Sequence, residues 1–290
     1  MEGFWLQVLF GGLTSGSIYA LVAVGLAVIY RATRVINFAH GEFVVIGALT
    51  ATTLVDPIGL PIVVAAVLGV AAASAAGLFL ERLVLRPMSQ KPAFVLILCT
   101  LGCSIAFRGA AMLLWGKDPL KLPPFSGEVP WRIGGAAILP QALWVLGVTA
   151  LVMVLIGYAL QRTAYGKAVR ACAENPAAAS LVGIDVKAMI AWTYVASAGL
   201  GGVAGVLISP IAAIDFQAGL LLAIKGLTAA IIGGLDRISG VVLGGLLLGL
   251  IEAYASAFIS SVMKDALAFA ILIVLLMMRP QGLLGLRAAR

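Results

Sequence analysis

Three polar side chains that could carry a proton or bind an ion lie close together near the start of the chain. His40, the only histidine of the sequence, stands beside Gly41 and Glu42, and Asn37 precedes it by three residues. Asn37 and His40 would share one helix face, and Glu42 would point elsewhere unless Gly41 interrupts the helix. Because a buried carboxylate needs a partner or a proton, we expect the segment 31–42 to bend. It is either a gate or pathway lining, or a polar cap at the start of a helix.

Lys225 is another candidate, because it interrupts the apolar run LLLAIKGLTAAIIGGL (220–235). A lysine in the middle of a membrane span is costly and usually faces protein or water. Lys225 therefore either serves transport or belongs to a structural ion pair. Arg108 and Glu252 are further charged residues inside apolar runs, and either could extend its charged group from the end of a span to polar surroundings.

His40, Glu42 and Lys225 could together form a proton or ion relay, as in a secondary transporter or channel for small polar solutes. A membrane enzyme is disfavoured, because the sequence contains neither G-x-S-x-G nor H-E-x-x-H, and a single histidine cannot build a multi-histidine metal site. The phosphate-binding pattern G-x-x-x-x-G-K-[ST] is absent as well. If ATP drives this protein, another chain must bind the ATP.

The elements that must position these residues are transmembrane helices. Hydrophobic residues make up 62% of the 290-residue chain and charged residues only 11%, against about 25% charge in a soluble domain. Apolar runs of about 20 residues, continuous rather than alternating, predict membrane-spanning α-helices and not a barrel. The sequence predicts a single all-α polytopic domain over 1–290, with eight or nine transmembrane or re-entrant helices at roughly 4–30, 35–55, 60–81, 93–115, 141–160, 188–208, 218–234, 240–259 and 265–278.

The distribution of Lys and Arg predicts the orientation of these helices. If the N-terminus is outside, 13 basic residues lie in cytoplasmic segments and four in external ones, as the positive-inside rule requires. The C-terminus and the polar loop 161–187 are then cytoplasmic, and the proline-rich loop 116–140 is external. The net charge of +7 is explained by this topology, so nucleic acid is not an expected partner. The cytoplasmic residues are Arg31, Arg34, Arg82, Arg86, Lys91, Arg162, Lys167, Arg170, Lys187, Arg237, Arg279, Arg287 and Arg290.

The loop 161–187 contains a short helix with both of its ends marked. Asn175 can cap the first free N–H groups, and Pro176 fits the first helical position, where its missing N–H costs nothing. The alanine-rich run after it favours a helix, and Gly183 can end it in the left-handed conformation. The result is a compact helix outside the membrane. It is either a docking element for a cytoplasmic partner or an ordinary structured loop.

Pairs of glycines four residues apart recur in the apolar runs and favour close helix packing within the membrane. They indicate a packed bundle of several helices and say nothing about a substrate. These pairs are Gly12 and Gly16, Gly201 and Gly205, Gly240 and Gly244, and Gly245 and Gly249.

Three stretches resemble the permease subunits of branched-chain amino-acid ABC transporters, and they occur in the same order. They are GLTSGSIYALVAVGLAVIYRATRVINFAHGE (12–42), RACAENPAAASLVGID (170–185) and IKGLTAAIIGGL (224–235). NFAHGE is a specific marker of this group, and the similarity extends over nearly the full chain. Within the family, the chain resembles the shorter of two paired permeases.

The resemblance implies an importer of the bacterial inner membrane that moves branched-chain or other hydrophobic amino acids by alternating access. Relatives carry urea, short amides, small carboxylates or aromatic acids, and the sequence does not decide between these and leucine-type amino acids. The implied partners are a second homologous permease, two cytoplasmic ATPases, a periplasmic binding protein and membrane lipid. The chain itself would bind no cofactor, since ATP and Mg²⁺ would sit on the ATPases.

The resemblance also gives the short helix in 161–187 the role of a coupling helix that seats in an ATPase groove. The residues expected there are Glu174, Asn175, Pro176, Ala178, Ala179 and Gly183. Against the general importer pattern E-A-A-x-x-x-G, Ala178, Ala179 and Gly183 match, whereas Ala177 stands in the acidic position. The expected gating or pathway residues are Asn37, His40, Glu42 and Lys225.

Overall fold

The computed structural model describes residues 2–127, 129–133, 135–258, 264–278 and 282–284. Each of the nine predicted apolar segments contains a helix. Arg279, Arg287 and Arg290, on which the predicted side of the C-terminus partly depends, lie outside the described residues. The elements are α1 (Glu2–Thr33), α2 (His40–Val55), α3 (Ile62–Phe79, continued by a π-helix at Leu80–Leu85), α4 (Ala93–Trp115), β1 (Trp131–Ile133), β2 (Ala136–Ile138), α5 (Pro140–Arg162), α6 (Ala164–Glu174), α7 (Pro176–Leu181), α8 (Val186–Ile208), α9 (Ala218–Gly233), α10 (Ile238–Phe258) and α11 (Lys264–Met278).

The bundle has two distinct ends. One end, here the hairpin end, carries the antiparallel pair β1–β2, and Gly3 at the start of α1 packs against Gly135 there. The opposite end, here the loop end, carries α6 and α7. Within the described residues, this two-stranded hairpin in the proline-rich loop and one isolated bridge between Leu120 and Ile214 are the departures from the all-helical prediction.

Within the part of the chain that the structure describes, six helices are long and apolar enough to cross a membrane: α1, α3 with its π extension, α4, α5, α8 and α10. The helices α2 and α9 have 16 residues each, about 24 Å, which is shorter than the hydrocarbon core of about 30 Å. The predicted span 35–55 is helical only from His40 onward, and residues 34–39 precede the helix without helical structure.

Helix α1 is the centre of the bundle. Every residue from 16 to 29 is buried, as expected for a helix that is apolar on all sides. The outer helices α3, α4 and α5 instead expose large apolar side chains along their length, such as Val67, Leu113 and Val154. In water these surfaces would be unstable, so their exposure fits contact with lipid or with another apolar chain.

Glycines form the contact between α1 and α10. A Cβ atom added at Gly16 would lie 2.8 Å from the Cα of Leu246, and one added at Gly12 would lie 3.0 Å from the Cα of Leu250. Gly245 in turn packs on the backbone of Ala20. The predicted role of the glycine pairs in close helix packing is thus confirmed, because the missing side chains let the two backbones touch.

Candidate functional site

The short helices α2 and α9 begin side by side inside the bundle and run to opposite ends. Gly41 in the first turn of α2 lies against Gly219 in the first turn of α9, so close that a Cβ added at Gly41 would collide with the Gly219 carbonyl oxygen. Helix α2 ends at the hairpin end, where Val55 packs near Leu122, and α9 ends at the loop end, near Asp236. Two positive helix termini therefore meet at one buried point.

The segments that lead into these two helices have the same sequence pattern and the same hydrogen bond from a backbone N–H to a side-chain oxygen two residues earlier. Ile-Asn-Phe at 36–38 precedes Gly41, and Ile-Asp-Phe at 214–216 precedes Gly219 at the same distance. The side-chain Oδ1 of Asn37 accepts a hydrogen bond from the Ala39 N–H at 3.0 Å, and Oδ1 of Asp215 accepts one from the Gln217 N–H at 2.9 Å. The two half-length helices are thus an internal repeat placed in opposite orientations.

His40 is completely buried in the first turn of α2. Its Nδ1 lies 3.2 Å from Ser197 Oγ, and that hydroxyl donates to the Gly25 carbonyl oxygen at 2.8 Å. Since the hydroxyl proton is used by Gly25, Nδ1 is best placed to donate to Ser197. The ring is oriented by α8 and lies against the glycine of α1, so it ties α2 to both helices.

Glu42 is buried between α2, α4 and α9. Its Oε1 accepts hydrogen bonds from Ser104 Oγ at 2.8 Å and from Arg108 Nη2 at 3.1 Å, both on α4. Its Oε2 has no hydrogen-bond partner among the described residues and faces the first turn of α9, 2.7 Å from where a Cβ of Gly219 would stand. The carboxylate is therefore held by one guanidinium group and by the positive end of a helix.

Lys225 forms the second polar centre. Its Nζ lies 3.0 Å from Glu252 Oε2 on α10 and 3.2 Å from the Tyr19 hydroxyl on α1, which itself donates to Glu252 Oε2 at 2.7 Å. The ammonium group also stands 5.2 Å from the centre of the Tyr19 ring. The structural ion pair that the sequence allowed for Lys225 is present, and it fastens α9, α10 and α1 to one another.

The structure places the four predicted gating residues in two networks that share α1. Asn37, His40 and Glu42 lie around the start of α2, and Lys225 lies farther along α9. None is more than 6% exposed, so all four are closed off in this conformation. Their predicted role in gating remains a prediction.

Arg108 and Glu252 do not extend to the ends of their helices, as the sequence allowed, but turn inward to complete these networks. Each is bound to a buried group of opposite charge, and such a pair costs less free energy inside a membrane than an unpaired charge. Sequence reasoning named both residues but missed their partners, because each pair joins two different helices. Ser104, Ser197 and Tyr19 were missed altogether, since a single hydroxyl in an apolar helix gives no pattern.

At the loop end, α7 has the ends that the sequence predicts. Asn175 Oδ1 accepts a hydrogen bond from the Ala178 N–H at 3.0 Å, and Gly183 has a φ of +85°, the left-handed conformation. The side chains that follow the alanine run are apolar but face solvent, with Leu181 88% exposed and Val182 76% exposed. Such a pair on a capped helix has the features of a docking surface.

The structure adds an amphipathic helix, α6, before α7, in a part of the polar loop 161–187 for which the sequence analysis predicted no helix. Thr163 caps it by accepting from the Gly166 N–H, and its inner face buries Val169 and Cys172. Burial raises the pKa of the Cys172 thiol, which leaves it little thiolate character. Its inward contacts set the position of α7.

The contact between Gly41 and Gly219 gives the first testable prediction. In the Gly41→Ala variant, the new methyl would come within 2.7 Å of the Ala223 Cβ and still closer to the Gly219 carbonyl oxygen, so the two helices must move apart. We expect a loss of about 1–3 kcal/mol of stability, measured by thermal unfolding of the purified protein in detergent. The matched control is Gly102→Ala on α4, where nothing lies within 4 Å. Equal stability of the two variants would contradict this description of the contact.

Comparison with known proteins agrees with this architecture. Residues 8–276 match the family described as the permease component of the branched-chain amino-acid transport system. The permease LivH of Escherichia coli K12 is 35% identical over 97% of this chain and 96% of its own length, and BraD of Pseudomonas aeruginosa is 37% identical over the same shares. Both are named as permease proteins of high-affinity branched-chain amino-acid transport systems.

The solved structure of PsaBC from Streptococcus pneumoniae in complex with Fab shares the fold. Its TM-score is 0.55 at 12% sequence identity, over 93% of this chain and 91% of that one. The family match and the two permease relatives, which are aligned over nearly their whole lengths, establish the membership that the NFAHGE stretch suggested. The chain belongs to the family of branched-chain amino-acid transport permeases and is a transmembrane permease of an ABC importer.

Proposed function

We propose that this chain forms half of the translocation pathway of an ATP-driven importer for branched-chain and similar hydrophobic amino acids. The relatives LivH and BraD, with 35% and 37% identity, are named for transport of this substrate class, and this supports the choice of cargo. The chain catalyses no reaction itself. ATP and Mg²⁺ bind to partner ATPases, and a binding protein selects the amino acid.

The observation that carries the proposal is the exposed, capped helix α7 at the loop end. Two apolar side chains, Leu181 and Val182, extend from it into solvent, whereas Ala179 is buried and the helix contacts α6 and α8. A short rigid helix with an apolar tip can enter a groove of a partner and transmit force without bending. We place an ATPase on this helix in each of two permease subunits.

The orientation of the chain in the membrane follows from placing the ATPase on α7. The loop end faces the cytoplasm, where the ATPases are, and the hairpin end faces the periplasm, where the binding protein docks. The N-terminus is then outside, since α1 begins at the hairpin end. The excess of Lys and Arg in the segments at the loop end supports this orientation. The second subunit is a homologous permease in the inner membrane.

The buried networks give the proposed gate. Helix α4 is fastened to α2 by the hydrogen bonds of Ser104 and Arg108 to Glu42. It is also fastened to the segment before α2, where the Phe38 N–H donates to Thr100 Oγ1 at 3.2 Å. ATP binding draws the ATPases together, and α7 carries that motion into the helices. Before this motion, the closed conformation is held by the contacts of Asn37, His40, Glu42 and Lys225. The motion of α7 releases these contacts.

The test is uptake of radiolabelled leucine into proteoliposomes that contain this chain, its co-purified subunits and the binding protein. We expect uptake that requires internal ATP and the binding protein and that is unaffected by an uncoupler. If the complex hydrolyses ATP but leucine does not accumulate, the amino-acid assignment fails and the architecture stands. If the chain alone accumulates solute along a proton gradient, the relay of His40, Glu42 and Lys225 is the correct interpretation and the proposal fails.

A further inference from the structure

A polar cleft of about 210 Å³ opens at the loop end, where α1, α5, α6 and the turn between α9 and α10 meet. Three arginines from different elements converge on it: Arg31 from the last turn of α1, Arg34 from the segment after α1, and Arg170 from α6. Glu174 and Asp236 also line it. None of these residues belongs to the buried networks or to the exposed tip of α7.

The charges of this cleft do not cancel. Arg34 is paired with Asp236, at 2.9 Å between Nη1 and Oδ1. Arg170 donates to the Leu160 carbonyl oxygen, a neutral acceptor at the end of α5. Arg31, half-buried, has no hydrogen bond or salt bridge to any described residue, and Glu174 is exposed. Three guanidinium groups against two carboxylates leave one positive charge without a counter-charge.

The other wall of the cleft is apolar. Val28, Leu160 and Val169 line it, and α5 continues away from the cleft with Leu155 and Tyr158 exposed, at 56% and 63%. The cleft thus lies where the membrane-spanning helices end, with a cationic mouth beside an apolar surface. A ligand that fits both parts carries a single negative charge on a compact polar group and an apolar tail.

We infer that this cleft is a phosphate-binding site, and that it takes the phosphodiester of an anionic phospholipid headgroup. Guanidinium groups bind phosphate oxygens through paired hydrogen bonds, and Arg31 and Arg170 supply these donors from two sides. The single charge of a phosphodiester matches the single excess charge of the cleft, and the acyl chains follow the exposed face of α5. Basic pockets between membrane helices commonly hold anionic headgroups.

A lipid in this position bridges α1, the centre of the bundle, and α6, which sets the position of α7. Its phosphate balances the excess positive charge of the cleft and joins Arg31 to Arg170. The site therefore predicts that anionic lipid stabilises the loop end, and with it the part of the chain that we assign to the ATPase. The stabilising effect on the chain needs neither ATP nor a partner, so it can be tested separately from transport.

The experiment measures thermal unfolding of the full-length protein in detergent with added dioleoylphosphatidylglycerol, dioleoylphosphatidylcholine or inorganic phosphate, together with native mass spectrometry of retained lipid. For the wild type we expect phosphatidylglycerol to raise Tm by about 5 °C at saturation, and phosphatidylcholine not to. In the Arg31→Gln/Arg170→Gln variant we expect the apparent affinity to fall at least about tenfold. The matched control, Arg162→Gln/Lys167→Gln, removes two exposed charges from the same region and should keep the full rise.

Arg170 also binds the end of α5, so its replacement could affect folding. The single variant Arg31→Gln separates binding from folding, because it breaks no hydrogen bond among the described residues. Loss of the lipid effect in Arg31→Gln, with an unchanged Tm in the absence of lipid, supports the site. The inference is overturned if phosphatidylcholine stabilises equally, if Arg31→Gln keeps the full effect, or if the control loses it. If inorganic phosphate alone gives the same rise in Tm, the ligand is a free phosphate, and the lipid assignment is overturned.

Discussion

Replacing Leu181 and Val182 with aspartate is expected to remove the ATPase from the complex and to abolish uptake. Both side chains are exposed at the tip of α7 and contribute little to the fold, so the change acts on the partner surface. Each apolar side chain buried in a groove contributes about 1.5–3 kcal/mol, and charges placed there are penalised further. We expect at least a tenfold loss of co-purified ATPase, on the order of the effect of an interface hot spot. The measurement is the yield of ATPase in an affinity purification through this chain.

The control for this prediction places the same two charges nearby. Gln161→Asp/Ala164→Asp changes exposed positions at the end of α5 and the start of α6 and should keep the ATPase. A complementary variant replaces Asn175, Pro176 and Ala177 with glycine, which removes the cap and loosens α7 while leaving its tip unchanged. We expect it to lower uptake more than ATPase recovery. If the aspartate variant co-purifies normal amounts of ATPase, α7 is an ordinary loop helix.

Lys225→Met is expected to destabilise the protein by about 3–5 kcal/mol, because it leaves the Glu252 carboxylate buried without a counter-charge. For a chain of this size the loss corresponds to a fall in Tm of roughly 10 °C. Glu252 cannot turn to solvent, since it lies inside the bundle and its Oε2 is bound to the Tyr19 hydroxyl at 2.7 Å. The double variant Lys225→Met/Glu252→Gln should recover most of the loss, since it buries no charge. Thermal unfolding in detergent measures all three proteins.

The matched control is the exposed ion pair of Arg34 and Asp236, whose side chains are 60% and 45% accessible. Arg34→Met removes a charge of the same sign from a pair of similar length, but in contact with solvent, and should cost no more than about 1 kcal/mol. Comparable losses for Arg34→Met and Lys225→Met would contradict the assignment of the Lys225 network as buried. Failure of the double variant to recover would show that the network contributes more than charge balance.

Local features of the fold could be predicted from the sequence. Apolar runs fix where helices form, because the bilayer leaves the backbone few other ways to satisfy its hydrogen bonds. The ends of α7 are encoded by Asn175, Pro176 and Gly183, which act within a few residues of one another. The helix α6 was missed because its apolar face is short and lies in a polar stretch, where composition outweighs periodicity.

The partners of the buried charges could not be predicted, because they depend on how helices are aligned. Gly233 packs on Gly240 and Ala229 on Gly244, and this antiparallel alignment places Leu248 level with Lys225. Glu252 lies one turn farther along α10, and the lysine reaches it only through the length of its side chain. A prediction that paired residues of α9 and α10 at equal distances from the turn between the two helices would have chosen Leu248 and not Glu252 as the partner of Lys225.

The paired short helices carried a detectable signal. The pattern Ile-[Asn/Asp]-Phe-x-x-Gly occurs at 36–41 and again at 214–219, and Leu-Thr follows each at 49–50 and 227–228. This signal was not used in the sequence analysis. The true repeat lacks identity at the charged positions, since Glu42 corresponds to Leu220 and Lys225 to Gly47. The shared residues shape the backbone, whereas the charged ones serve each half separately.

The glycine contact between α1 and α10 also determines how the bundle can deform. Side chains that interlock must change rotamer before two helices can slide past each other, but here Gly12, Gly16 and Gly249 leave backbone facing backbone. Translation along this contact exchanges one set of shallow van der Waals contacts for another. It is therefore a plane of shear, and its limits are set by the Tyr19 hydroxyl, which locks α1 to Glu252 on α10. The inward-facing and outward-facing forms should differ most along this plane.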